Sequence, residues 1–489
     1  MPEQTSHVAG NRLLIKKYLQ EHSLVESNIT SFNDFVDRRL QEIIDSINEE
    51  ISREEVDIWL GKISVGKPEI IEADGSKHAI SPIEARLRKV TYSAPLYLEV
   101  STGNKEFTIV ELGKIPIMVG SKHCNLHNMN SEELTKSYED PKDPGGYFVI
   151  NGNERVLVII EDLAQNQPFT EITSKGFILR ILSQRGSYRI PVTINKAPDG
   201  NLFVSFSRFK NVPAMLLIKA LGITKDSEIA SLIGKETDSL IVSLSGSSSI
   251  SDSEDAVMAI GEKMNIQGTK KEILTRVRSR IDSAFLPHIG TKQDARKDKA
   301  ITLCKLIKQF LISQELGLET DRDHYANKRV RLSGDLLADL FRVNLNIFIR
   351  DLQHNIQKIE KKKKFYSVKS IAKSTLFQHR IESAIATGSW IGERAGVTQN
   401  MDKTNGLAVL SELQRVVSSL PNEQENFKAR TLHPTHYGRF CPVETPEGTS
   451  IGLRKNLAMM AIVSTAIKMP EKELISQLEK SGMKTIKKK

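Results

Sequence analysis

The sequence predicts an α+β multidomain chain, in which a mixed α/β region is interrupted by an insertion and followed by irregular structure. Three observations carry this. The chain has 489 residues, which suggests about three domains at roughly 100–200 residues each. Its apolar periodicity changes from helical to strand-like and back along the chain. After about residue 390, Gly, Pro, Thr and His become too dense for one regular element.

The elements follow in order. Within residues 11–60, LLIKKYLQEHSL and FNDFVDRRLQEIIDSI place apolar side chains at helical spacing, and Ser31 or Asn33 is expected to cap the second helix. From about residue 62, ISVGKPEIIE, VTYSAPLYLEVST and KEFTIVELGKIPIMV near-alternate, carry β-branched residues and are broken by Gly and Pro, so they read as strands. GGYFVINGNERVLVIIED reads as a hairpin turning at Asn151-Gly152-Asn153. ILRILSQRGSYRIPVTINKAPDGNLFVSF continues in strands, with a turn at Pro198-Asp199-Gly200. Residues 213–320 predict helices, including PAMLLIKALGI and ITLCKLIKQFLISQEL, with SLSGSSSISDSEDA as a surface loop. DLLADLFRVNLNIFIRDLQHNIQKI is a further helix, running into the charge run Lys361–Lys364, which reads as a solvated helix end.

Hydrophobic content of 39% and charged content of 26% are ordinary for a globular protein, which argues against a disordered chain. A net charge of +9 favours a polyanionic partner, either nucleic acid or an anionic membrane surface; a merely solvated basic surface fits as well. Cys124, Cys304 and Cys441 are far apart with no C-x-x-C spacing, so neither a disulfide framework nor a Cys-based zinc site is expected. Few cysteines suit a reducing cytosol, and a cytoplasmic location is expected. No signal peptide is read at the start, and no apolar run approaches the roughly 18 residues of a membrane span.

Several chemistries can be weighed on spacing. His433 and His436 lie three apart, but Pro434 between them disfavours a helix and no Cys or carboxylate stands at ligand spacing, so no metal is expected there. Cys441 lies near both histidines, yet proximity in sequence does not make a Cys/His nucleophile, and a small buried residue is the favoured reading. Neither a G-x-x-x-x-G-K-[ST] loop nor a G-x-G-x-x-G turn between strand and helix occurs. No tight cluster of aspartates occurs; Asp321-Arg322-Asp323 is the closest aspartate pair, and its central Arg suggests an ion-pair network. What remains is FKARTLHPTHYGRFCPVETPEGTSIGLRKNLAMM. It carries five cations (Lys428, Arg430, Arg439, Arg454, Lys455) against two anions (Glu444, Glu447). A basic, irregular loop system is suited to gripping a phosphate backbone, and Gly448 and Gly452 permit close approach.

That stretch, with its LHPTHYGR and CPVETPEGTSIGL elements, closely resembles the fork-region signature of the second-largest subunits of multisubunit, cellular-type RNA polymerases. RLRKVTYSAPLYLEV, GKIPIMVGSKHCNL and GGYFVINGNERVLV resemble successive parts of that family's protrusion. DRDHYANKRVRLSGDLLADLF resembles the return from the lobe, and TGSWIGERAGVTQNMDKTNGLAVLSELQRVVSSL the approach to the fork. The resemblance covers nearly the whole chain and is weakest over residues 170–310. It implies a protrusion at residues 1–167, an inserted lobe at 168–320, a helical return to the protrusion at 321–395 and a fork region at 396–489. The chain ends at IKKK, after the fork, where the usual subunit continues. This is similar to the split archaeal form, in which the N-terminal half of the second-largest subunit is a polypeptide of its own; a piece of an unsplit subunit is the rival. A stand-alone nucleic-acid-binding or regulatory protein that borrowed the fold is a further alternative.

The family enzyme adds ribonucleotides to RNA on a DNA template, with Mg²⁺ held by aspartates of the largest subunit. The resemblance therefore implies no catalytic residue, no metal and no cofactor bound by this chain, which should be inert alone. The implied partners are the largest subunit, the C-terminal half of the second-largest subunit, the other polymerase subunits, the DNA template and the RNA–DNA hybrid; no membrane is implied. Arg415, Arg430 and Arg439 would contact phosphate or support that surface. Gln399 and Asp402 match family positions lining the RNA path, and Pro446, Glu447 and Ser450 match positions beside the hybrid. Glu412 stands where bacterial members that bind rifamycins have His, so rifamycin sensitivity is not expected.

Overall fold

A computed structural model describes residues 2–51, 58–102, 107–174, 176–186, 188–235, 237–248, 250, 252–360, 374–392, 394–420, 425–464 and 469–483. The lysine run Lys361–Lys364 lies outside the described residues. The chain forms two compact units, one of residues 1–160, 330–424 and 436–489, the other of residues 161–329 and 425–435. Several sheets and many helices make it the mixed α/β multidomain structure that the changing periodicity predicts.

The first unit is organised on an antiparallel sheet of Ile58–Val65, Ser93–Thr102 and Thr108–Pro116, with Ser93–Thr102 central. Ile58, Leu60 and Ile63, Leu96, Leu98 and Val100, and Val110 and Leu112 are buried, as strand alternation requires of an inward face. Helices Leu40–Ile51 and Ser374–Thr387 pack against it, and helix Ser333–Glu360 packs on both of them. Aromatic rings join segments remote in sequence: Phe32 meets Phe148 at 5.6 Å, Phe35 meets Phe341 at 6.3 Å, and Phe341 meets Phe377 at 5.5 Å, all edge-on. Edge-to-face packing of this kind adds about 0.5–1.5 kcal/mol per pair beyond burial.

The expected cap by Ser31 or Asn33 is not what forms. The helix begins at Glu26, so both residues lie inside it, and its N-cap Val25 contributes no side-chain bond. Their polar groups serve other segments instead. Ser31 Oγ accepts the Gly334 N–H at 3.1 Å and Asn33 Oδ1 accepts the Lys122 N–H at 3.0 Å. The hairpin does form where expected, between Phe148–Ile150 and Asn153–Leu157, with Ile150 opposite Asn153. Its turn is the pair Asn151-Gly152, at φ 50° and 77°, the left-handed pair that a two-residue type I′ turn needs. Thr398–Asn400 adds a third strand, with Gln399 opposite Val156.

The second unit holds a five-stranded antiparallel meander, in the order Phe209–Pro213, Leu202–Phe206, Tyr188–Lys196, Gly176–Arg185, Pro168–Thr173. Leu179, Ile181, Val192, Ile194 and Val204 are buried, together with Leu303, Ile307 and Phe310 of helix Arg296–Leu316. Helix Ala214–Ala220 is buried over its whole length. It carries Lys219 inward, where Nζ donates to the carbonyls of Ser247 at 2.8 Å and Ile250 at 3.0 Å and pairs with Asp226 at 2.9 Å. The serine-rich stretch is therefore not simply a surface loop. Ser243 completes a turn of helix Asp238–Ser245, Ser253 opens helix Ser253–Lys263, and Ser243 and Ser247 are buried. A buried ammonium needs acceptors, and the carbonyls of this bend supply two of them.

Candidate nucleic-acid interface

Three of the residues singled out on sequence come together around a fourth. Gln399 is on the third strand of the hairpin sheet. Beyond it the chain turns at Asp402, whose carboxylate accepts the Thr404 hydroxyl and, at 2.9 Å, the Thr404 N–H. These bonds, with a smaller contribution from the Arg415 charge, hold the Asp402 carboxyl below its ordinary range. Asn405 then caps helix Gly406–Leu413 by accepting the Ala408 N–H at 2.8 Å. On that helix Glu412 accepts the Asp402 N–H at 2.6 Å and lies 3.4 Å from Arg415 Nη1. Arg415 Nη1 also donates to Gln399 Oε1 at 3.2 Å. Asp402 is exposed, and Gln399, Glu412 and Arg415 are half-buried. The group thus presents an amide and a carboxylate beside a guanidinium whose direction is set by an acid.

Pro446, Glu447 and Ser450 share one irregular loop. Strands Arg415–Ser418 and Arg454–Asn456 pair antiparallel, with Arg415 opposite Asn456 and Val417 opposite Arg454. This places the loop that precedes Arg454 next to the Arg415 group. Thr445 braces the loop: its hydroxyl donates to the Arg454 carbonyl at 2.9 Å and accepts the Gly452 N–H at 2.9 Å. Ser411 donates to Glu444 at 2.6 Å, and Asn456 Nδ2 donates to the Ser411 carbonyl at 2.7 Å. Pro446 and Glu447 are exposed, and Ser450 is half-buried in the short turn Gly448–Ser450. At Gly448 the reason for glycine is a φ of 81°, since a Cβ there would meet nothing within 4 Å.

The cations of this stretch do not all face outward. Lys455 is 5% exposed and its ammonium lies 5.9 Å from the Phe440 ring, a cation–π contact. Arg454 lines a cleft of about 560 Å³ together with Arg394, Gln399, Val158 and Val417. Arg439 is exposed, in a turn where its N–H donates to the His436 carbonyl at 3.0 Å. Arg430 is half-buried, at the end of the helical turn Phe427–Arg430, and belongs to the second unit.

The histidines are engaged separately. His433 puts Nε2 3.0 Å from Asp321 and Nδ1 2.7 Å from the Thr435 hydroxyl. His436 is buried with its ring edge-on to Phe440 at 5.9 Å. Burial alone would raise the Asp321 carboxyl, but the Asp323 N–H and His433 outweigh it and hold it low. Asp323 pairs with Lys328 at 3.3 Å and Arg322 with Glu171, which is the ion-pair arrangement that the spacing suggests. Cys441 is half-buried rather than buried, and its N–H donates to the Asn456 carbonyl at 2.9 Å. Among the described residues, no three His, Cys, Asp or Glu side chains converge as a metal-binding group, and no helix is long and apolar enough to cross a membrane.

In sequence, Glu412 stands out only as a departure from a bacterial pattern. Its spacing of three from Arg415 at a helix end is the available sign that the two would pair.

Residues 23–378 match the family model described as RNA polymerase beta subunit, and residues 399–463 match RNA polymerase Rpb2, domain 3. DNA-directed RNA polymerase subunit Rpo2 of Saccharolobus shibatae is 41% identical over 482 residues, covering 94% of this chain and 42% of the relative. The chain thus spans less than half the length of that relative. Subunit Rpo2N of Methanocaldococcus jannaschii is 39% identical over 477 residues, covering 93% of this chain and 95% of the relative. Subunit Rpo2N of Halobacterium salinarum is 35% identical over 503 residues, covering 97% and 96%. The matched segments take in the sheets of both units, the Glu412 group and the Thr445-braced loop, and the chain belongs to the RNA polymerase beta-subunit family, matching the N-terminal half in its archaeal form.

Proposed function

We propose that this chain is a subunit of a multisubunit DNA-directed RNA polymerase, in which it forms one jaw of the DNA cleft and holds template and RNA–DNA hybrid without making the bond. In this reading residues 1–167 and 321–395 are the protrusion, 168–320 the inserted lobe and 396–489 the fork. The observation that carries it is the convergence of Gln399, Asp402 and Arg415 on Glu412 beside a braced, exposed loop, in a chain of this family. A guanidinium steered by a carboxylate, next to the Gln399 amide and the exposed Asp402 carboxylate, suits recognition of a phosphate–sugar backbone by position.

The bond-making step is in-line attack of the RNA 3′-hydroxyl on the α-phosphate, and such transfer depends on positioning and on charge neutralisation by Mg²⁺. The described residues of this chain supply no carboxylate cluster to hold that ion. In this reading, which rests on the family resemblance, the Mg²⁺ site lies in the largest subunit and this chain positions template and hybrid. Its further partners would be the C-terminal half of the second-largest subunit, the remaining subunits, and DNA with its hybrid.

The test is reconstitution. The chain alone, given DNA template, NTPs and Mg²⁺, should make no RNA, and adding the other subunits should restore synthesis. RNA made by the purified chain alone would refute the division of labour.

A further inference from the structure

Lys403 lies in the turn between Thr398–Asn400 and helix Gly406–Leu413, one residue beyond Asp402. Its side chain is half exposed, and a lysine on such a surface would ordinarily be assigned to a phosphate. Its contacts run the other way. Nζ bonds Glu154 Oε1 at 2.6 Å and stands 5.9 Å from the Tyr147 ring. The same carboxylate oxygen accepts Arg86 Nε at 2.6 Å. Arg86 also donates to Glu139 at 3.0 Å and to the Tyr147 hydroxyl at 2.5 Å, and lies 3.7 Å from Asp143.

The charges decide what Lys403 does there. Glu139, Asp143 and Glu154 have side chains 4%, 22% and 11% exposed. Arg86 alone leaves three sheltered carboxylates two charges short, and Lys403 supplies the next cation. Swinging its ammonium out to a phosphate would leave Glu154 sharing one guanidinium with two other acids, and an under-compensated carboxylate at low exposure is costly. The backbone reinforces the same attachment. The Met401 N–H donates to the Glu154 carbonyl at 3.1 Å, and Gln399 and Asn400 pair with Val156 and Arg155. The segment is thus tied to the hairpin through Glu154 on one side and to Glu412 through the Asp402 N–H on the other.

We propose that Lys403 is a positioning residue: anchored on Glu154 and Arg86, it holds Gln399 and Asp402 in register with Glu412 and Arg415, and does not itself contact nucleic acid. The inference rests on the reading of that group as a nucleic-acid surface.

The experiment uses the reconstituted polymerase stalled on a DNA template, with the lifetime of the complex measured over a series of KCl concentrations. The variants are Lys403→Met, Lys403→Arg, Glu154→Gln, the Lys403→Met/Glu154→Gln double, and Arg415→Ala as reference. Lys403→Met and Glu154→Gln should each shorten the lifetime, by about threefold for a half-exposed ion pair, and the double should be no worse than the single variants. Lys403→Arg should restore it, and the salt dependence should not change slope. A slope reduced by about 0.7–0.9 for Lys403→Met is the sign of a lost phosphate contact and overturns the proposal, as do additive losses in the double. If Arg415→Ala shortens the lifetime while Lys403→Met does not, positioning alone fails. If Lys403→Met acts while Arg415→Ala is silent, the nucleic-acid reading of the surface fails and positioning with it.

Discussion

Lys299 is the buried charge whose removal has the most calculable effect. It is 0% exposed in the first turn of helix Arg296–Leu316, and its Nζ donates to the Asp282 carbonyl at 2.7 Å. That carbonyl belongs to the last turn of helix Lys270–Ala284, where acceptors lack partners within the helix and a cation is favourable. Burial nevertheless pushes the ammonium down from 10.5 to about 8; Asp282 opposes the shift, while Arg296 and Arg185 add to it. The unfolded chain binds the proton more tightly, so the penalty is present in full below pH 8 and is relieved as pH climbs from 8 to 10.5. Between pH 7 and 9.5 the second unit should gain about 2 kcal/mol from this group. Lys299→Met removes that pH dependence. At pH 7 it should be near neutral, since relief of roughly 3 kcal/mol is set against a stranded carbonyl costing about 1–3. The assay is urea unfolding of both proteins at the two pH values. Both tryptophans, Trp59 and Trp390, are in the first unit, so far-UV circular dichroism carries the signal and fluorescence is the internal control. Cys304, whose thiol burial pushes up to about 11, destabilises as pH rises, but it cancels in the difference between the two proteins. A difference that stays constant from pH 7 to 9.5 would refute the reasoning.

Three further outcomes are expected. Gly334→Ala, normally worth about 1 kcal/mol of added stability inside a helix, should instead cost about 3 kcal/mol, because its Cβ would sit 2.7 Å from Ser31 Oγ and closer to the Ser31 carbonyl. Fluorescence of Trp390, whose indole donates to Leu336 on the same helix at 3.2 Å, should report the earlier melt, and an unchanged midpoint contradicts the close approach. Asp34→Asn should cost about 2–3 kcal/mol, since Asp34 accepts from Arg38 and Arg39 at 2.7–2.8 Å. Burial alone would raise the Asp34 carboxyl, but those two arginines hold it below 3.8. Its contribution is therefore present above about pH 4 and lost as pH falls through the folded value, so the wild-type protein should lose more stability below pH 4 than the variant, by thermal melts at each pH. Arg430→Ala and Arg439→Ala, each in the assembled enzyme, should lower complex stability and flatten its dependence on log salt by about 0.7–0.9 per lost phosphate; unchanged slopes for both remove them from the contact surface.

Much of the fold was legible because its signals are local. Alternation marked Ser93–Thr102 and Thr108–Pro116, helical spacing marked Ser333–Glu360, and Asn151-Gly152 marked its own turn. Capping was less legible: Ser31 is a good cap by type, but the helix starts five residues earlier and the hydroxyl serves Gly334, about three hundred residues away. Of the interface, resemblance pointed to Gln399, Asp402 and Arg415 as contacts, whereas neither the joining of these three by Glu412 nor the attachment of Lys403 to Glu154 is marked by a motif in the sequence.

The sequence by itself determined the order of helices and strands, the basic balance, the absence of the searched nucleotide-loop motifs and the family signature, because each depends on neighbours in the chain. Only the tertiary structure decided which charges are available. It turned Lys455 onto Phe440, buried Lys299 beneath a helix end, directed Arg415 toward Glu412 and tied Lys403 to Glu154. Desolvation and ion pairing depend on what surrounds a side chain in space, and a charged residue reads the same in sequence whether it faces water or a carboxylate.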